Sequence, residues 1–102
     1  MSKKMRVGVV LHVDEKEKIV QLIGFGEFIG HEVPDEKAKG LCPVLRKLGK
    51  KNPKIQLDNG KIVWGGECWW TNETETKELL NELKQNNFKI INVDIDDVRS
   101  QQ

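Results

Sequence analysis

Residues 53–70 read PKIQLDNGKIVWGGECWW, and the path of this stretch decides the fold. Asp58-Asn59-Gly60 stands between two apolar runs and supplies residue types that tolerate positive φ, so the flanking segments are predicted as the arms of a β-hairpin. The second arm is expected to continue as one strand through VWGGECWW, Val63–Trp70, which holds all three tryptophans and one of the two cysteines. Along such a strand, two-residue alternation sends Trp64, Gly66, Cys68 and Trp70 to one face, and Val63, Gly65, Glu67 and Trp69 to the other. With Trp64 and Trp70 in the core, Trp69 and Glu67 are displayed on the opposite face beside a gap at Gly65. Tryptophan in a small domain commonly just fills the core. An exposed indole beside a carboxylate is instead a stacking platform for a planar ligand or a hot spot for a partner.

Upstream, Met5, Val7, Val9, Leu11 and Val13 alternate with Arg6, Gly8, Val10 and His12, the pattern of a strand. The charged segment Asp14 to Lys18 is short enough for a hairpin loop, and IVQLIGFGEFIG, residues 19–30, resumes extended character. Gly24, Gly26 and Gly30 fall at even spacing, so they share a face without side chains. That face either bends the sheet or lets another backbone or a ligand come close. Glu27 and His31 on the same segment join Gly24 and Gly26 as candidate contacts.

Pro34 stops this strand. A short helix is expected from Pro43, with Val44, Leu45 and Leu48 turned inward and Gly49 at its C-terminal cap. From Lys37 to Lys54 the chain carries Lys37, Lys39, Arg46, Lys47, Lys50, Lys51 and Lys54 with no acidic residue. Such a run is either a solvated surface or a receiver for phosphate, nucleic acid or an acidic protein, and Lys50 and Lys51 are its candidate contacts. Downstream, Thr71 or Asn72 caps a second helix with Glu75 in capping-box position, and Leu79, Leu80 and Leu83 form its buried stripe. After Asn86-Asn87, KIINVDI reads as a last strand with Ile91, Val93 and Ile95 on one face. The order β-β-α-β-β-α-β implies an α+β fold: a mainly antiparallel, five-stranded, bent sheet with the helices on one side.

The 102 residues suit a single globular domain spanning 1–102, and 37% hydrophobic and 32% charged residues at net charge +1 describe an ordinary folded chain. No apolar run approaches the roughly 18 residues of a membrane span, and MSKKMRVGVV lacks the features of a signal peptide. A cytoplasmic location with no membrane partner follows as the expectation, and with it reduced cysteines.

Chemistry is sparsely signalled. Cys68 with His12 or His31 has the elements of a nucleophile and base but no local signature. The positions of His12, His31, Cys42 and Cys68 include no close ligand pair for zinc. Asp94, Asp96 and Asp97 lack the glycine and terminal glutamate of a calcium loop. In GFGEFIG, Ile29 stands where a dinucleotide fingerprint needs its third glycine. No cofactor or metal is expected.

GFGEFIGHEVP, residues 24–34, followed by NPKIQLDNGKIVWGGECWW, residues 52–70, resembles a pattern found in short proteins of bacterial and phage genomes to which no activity is attached. The resemblance covers residues 24–70. It implies a small stand-alone protein carried by a phage or other mobile element, acting by binding: blocking a host complex or sequestering a nucleotide signal. The expected function is accordingly that of a non-enzymatic binding protein, self-associating as a homo-oligomer, with a host protein or a small nucleotide as partner. Its expected contact surface comprises Gly24, Gly26, Glu27, His31, Lys50, Lys51, Trp64, Glu67 and Trp69. The alternative is a small hydrolase or transferase using Cys68, Glu67 and a histidine.

Overall fold

The computed structural model describes residues 5–101. Two antiparallel strands, β1 (Met5–Asp14) and β2 (Ile19–Glu32), form the first hairpin. The Asp14 carboxylate accepts from the backbone N–H groups of Lys16 and Glu17 at 3.0 Å each, which fixes the turn. Then come α1 (Cys42–Lys47), β3 (Asn52–Leu57), β4 (Ile62–Trp64), a 3-10 turn at Gly65–Glu67, β5 (Trp69–Asn72), α2 (Glu73–Gln85), β6 (Lys89–Asn92) and α3 (Ile95–Ser100). The fold is α+β and its sheet is antiparallel except for β6, which runs parallel to β2.

The stretch Val63–Trp70 is not one strand. Its first part, β4, pairs with β3; its last part, β5, pairs with β1. The sheet order is β4-β3-β2-β1-β5, so the two halves of this stretch lie on opposite edges. Gly65 and Gly66 are weak strand formers, and two hydrogen bonds hold the turn they make. The Glu67 carboxylate accepts from the Trp64 N–H at 3.2 Å, and the Gly66 N–H donates to Asn52 Oδ1 at 2.7 Å. A flat sheet of this order would hold its edges about 19 Å apart, at about 4.8 Å per strand. A 3-10 turn advances only about 2 Å per residue. The link through Gly65 to Cys68 therefore requires the sheet to curl until its edges approach one another, giving a partly closed barrel.

Val7, Val9, Ile23, Ile55, Leu57 and Val63 fill the interior, and Ile95 of α3 joins them. Trp70 also points inward and stacks on Phe28, with ring centroids 5.5 Å apart and 11° between the planes. The β2 glycines shape the curl. A Cβ at Gly26 would collide with the backbone of Gln56 and Leu57, while Gly24 (φ 144°) and Gly30 (φ 133°) lie at register shifts. Bending is thus their visible role.

Helices α2 and α3 take opposite faces of β1 rather than sharing one side. Gly8 faces α2, leaving room for the fully buried Thr76, and Leu80 packs on Val10, Val20 and Leu22. The neighbouring Val7 and Val9 point the other way, toward Ile95. Asn72 caps α2 as its sequence implies, its Oδ1 accepting from the Glu75 N–H at 2.8 Å. The final segment departs from expectation: β6 ends at Asn92, and Ile95 begins α3 with Asp94 as its cap. Helix α1 also turns out differently. Cys42 is its buried residue, whereas Val44 and Leu48 are exposed together with the preceding Leu41.

Candidate functional site

Strand β5 covers only Val7–Val10 of β1, with Trp69 opposite Val10. Beyond that point β1 continues to Asp14, paired with β2 on its other edge. Leu11–Asp14 therefore presents a backbone edge with no strand partner among the described residues. Because Trp70 enters the barrel, alternation along β5 sends Trp69 outward, and its side chain is about half exposed, at 50%. Leu79 of α2 comes alongside. Together Val10, Leu11, His12, Val13, Trp69 and Leu79 line an almost wholly apolar cavity of about 350 Å³.

Glu67 does not stand beside Trp69. Its side chain is 3% exposed and accepts from Arg99 Nη2 at 2.7 Å and Arg99 Nε at 2.9 Å. It also accepts from the backbone N–H of Lys39 at 2.9 Å, besides that of Trp64. Arg99 Nη2 further donates to the Ile62 carbonyl at 2.9 Å, and the bond to Glu67 is the chief reason the Arg99 pKa is raised. Every carboxylate oxygen is thus used to tie the 3-10 turn to α3 and to the loop before α1. Glu67 is a structural residue.

Trp64 is likewise removed from any surface. It lies buried with Ala38 and Cys42, with Lys54 Nζ 5.7 Å from its ring centroid, and its Nε1 has no hydrogen-bond partner among the described residues. Glu27 lies in register between Arg6 and Gln56. His31 sits at the exposed end of β2, edge-on to Phe28 at 5.2 Å and opposite Pro53. Lys50 and Lys51 are exposed in the link from α1 to β3. Gly24 and Gly26 belong to the bend of β2. The residues singled out in the sequence therefore do not converge; Trp69 alone carries the proposed outward surface. Val10, Leu11, His12, Val13 and Leu79 were not legible as its neighbours, because only the pairing of β5 with β1 brings them there.

The cysteines are poorly suited to nucleophilic work. Burial, followed by the nearby Glu67 carboxylate, pushes the Cys68 thiol up to about 12, and its Sγ donates to the Trp64 carbonyl at 3.4 Å. Burial likewise pushes Cys42 up to about 11. A catalytic thiol needs the opposite shift. Among the described residues no group of three or more His, Cys, Asp and Glu side chains is placed to hold a metal ion, and no helix is long and apolar enough to cross a membrane. Comparison with family models, curated proteins and solved structures finds no match to this chain.

Proposed function

We propose that this chain is a non-enzymatic binding protein that holds a partner protein by accepting an extended segment along the free edge of β1. The observation that supports this reading is the half-exposed Trp69 beside the outer edge of Leu11–Asp14, which has no strand partner among the described residues. An open strand edge offers N–H and C=O groups that only another extended chain satisfies in sequence. The apolar cavity beside it accepts one side chain of that chain, and tryptophan is among the residue types enriched at the energetic centres of such contacts. The resemblance of residues 24–70 to phage and bacterial proteins favours a host protein as the partner. Self-association would use the same edge, with a second copy in place of the partner's segment. The alternative reading, a hydrolase or transferase built on Cys68, is weakened by the raised thiol pKa and by Glu67 being committed to Arg99.

The test is a selection from a displayed library of linear peptides, followed by an NMR titration with the best binder. The expected result is movement of the His12 and Val13 amides and of the Trp69 indole N–H, with loss of binding in a folded Trp69→Ala variant. Peptides that bind Trp69→Ala as tightly as the parent chain would sink the proposal. Sizing over a dilution series, with acrylamide quenching of the indole, separates a free edge from one covered by a second copy.

A further inference from the structure

We propose a second binding site, for a small planar polyanion of the nucleoside-phosphate class, in the cleft between α2 and β6. It uses none of the residues of the β1 edge and stands or falls independently of it. The cleft has a volume of about 660 Å³, within the roughly 300–1,000 Å³ typical of small-molecule sites.

Its lining follows from two short-range patterns. On α2, Lys77, Asn81 and Lys84 recur at the spacing that places them on one helical stripe, adjacent to the buried Leu80. Across from them β6 brings Ile90 and Asn92, because its parallel pairing sets Ile90 against Val20 and Asn92 against Leu22. Phe25 and Phe88 complete the walls as partly buried members of the cluster around Leu80. At this point the outer edge of β2 changes partner. Val93 N–H bonds the Leu22 carbonyl and Asp58 N–H bonds the Phe25 carbonyl, so β6 leaves and β3 begins between them.

The chemistry of this lining is one-sided. Lysines are the only charged residues along the cleft: Lys77 and Lys84 stand on the α2 stripe, and Lys89 contributes from β6, where alternation turns its side chain to the face opposite Asn92. Lys77 makes only a long ion pair, 3.6 Å from Glu73, and lies 5.8 Å from the Phe25 ring centroid. Lys84 and Lys89 make no ion pair among the described residues. Lysines without an acidic neighbour in the lining call for negative charge on the ligand. Two phenyl rings at the same cleft call for a flat ring system to stack on them. The carboxamides of Asn81 and Asn92 have no side-chain hydrogen bond among the described residues, and each offers both a donor and an acceptor to a heterocyclic edge. A nucleoside di- or triphosphate combines these three features in one molecule of suitable size. A nucleic acid strand would need the charge to continue as a track beyond the cleft.

The experiment is a set of NMR titrations at physiological salt with ADP, adenosine and inorganic pyrophosphate as probes. ADP is expected to shift the side-chain amides of Asn81 and Asn92 and the backbone of Phe88 and Lys89. Adenosine and pyrophosphate should each bind at least about tenfold more weakly than ADP, since each lacks one half of the recognition. Lys77→Glu and Lys84→Glu change exposed side chains, so the fold should persist while ADP binding falls by about tenfold or more. Trp69→Ala should leave the ADP titration unchanged. The absence of shifts with ADP up to about 1 mM, or pyrophosphate matching ADP without movement of Phe88, would overturn the proposal. So would tighter binding of a single-stranded oligonucleotide with shifts spread beyond the cleft.

Discussion

Arg99 closes on Glu67 through two hydrogen bonds, Nη2 to Oε1 at 2.7 Å and Nε to Oε2 at 2.9 Å, joining residues 32 apart in sequence. With side chains 12% and 3% exposed, this pair is shielded from water and holds the link between β4 and β5. Removing Arg99 leaves a buried carboxylate with only its backbone donors. Arg99→Ala is therefore expected to destabilise the protein by about 3–5 kcal/mol, measured by urea denaturation. A loss below about 1 kcal/mol, the range of exposed pairs, would show that the pair does not bear on stability.

Gly26 meets the backbone of Gln56 and Leu57 where β2 and β3 curl together. Since backbone cannot move aside as a flexible side chain can, Gly26→Ala should cost at least about 1–3 kcal/mol. A thermal melt of the variant checks this, and an unchanged Tm would mean that the sheet opens there without penalty.

The adjacent tryptophans should respond unequally to truncation. Trp70→Ala removes an indole stacked on Phe28 inside the barrel and is expected to cost about 3–5 kcal/mol. Trp69→Ala removes a half-exposed one and should stay within about 1 kcal/mol. Comparable losses on denaturation would place Trp69 among the core residues and remove the case for it as a contact.

Acid should weaken the fold in a defined direction. Asp58 is held below its ordinary pKa by a hydrogen bond from Arg6, Asp94 by one from Lys61, and Glu75 by Thr71 and Asn72. A carboxylate depressed in the folded state binds its proton first in the unfolded chain. Its stabilisation is thus present above the unfolded pKa and is lost as pH falls through the lower, folded one. The loss should begin near about pH 4 and continue downward. Denaturation midpoints measured across that range should fall with pH, and Lys61→Met should make the fall shallower. A midpoint that holds constant below the ordinary carboxylate range would contradict the assignment.

Cys68 should be slow to react. With its thiol pushed up to about 12, alkylation by iodoacetamide at mildly alkaline pH is expected to lag far behind that of the unfolded chain. Cys68→Ser should preserve binding through the β1 edge. Rapid native-state alkylation at Cys68, together with loss of the biological effect in a folded Cys68→Ser protein, would restore the enzymatic reading.

Several local devices were written in the sequence, although the Asp94 cap that starts α3 was not read from it. Asp58-Asn59-Gly60 marked the second hairpin, Asn72 with Glu75 marked the start of α2, and the alternation of Met5 to Val13 marked β1. Even the outward turn of Trp69 and inward turn of Trp70 were legible, because neighbouring residues on any strand face opposite ways. These features depend on backbone preferences and side-chain periods that act over a few residues.

The tertiary structure decided which strand edges meet. Gly65-Gly66 is compatible with a gap in a strand or with a tight turn, and the choice is tied to Asn52 and to Arg99, both distant in sequence. Once the chain turns there, β5 joins β1 on the far edge, Glu67 is enclosed, and β1 is left longer than its partner. Helix α1 likewise has apolar residues whose inward or outward direction no short-range rule fixes: Cys42 takes the buried place beside Trp64, and Leu41, Val44 and Leu48 remain outside. Pairing and enclosure depend on contacts between segments separated by tens of residues, so the barrel, its free edge and its lysine-lined cleft exist only in the folded chain.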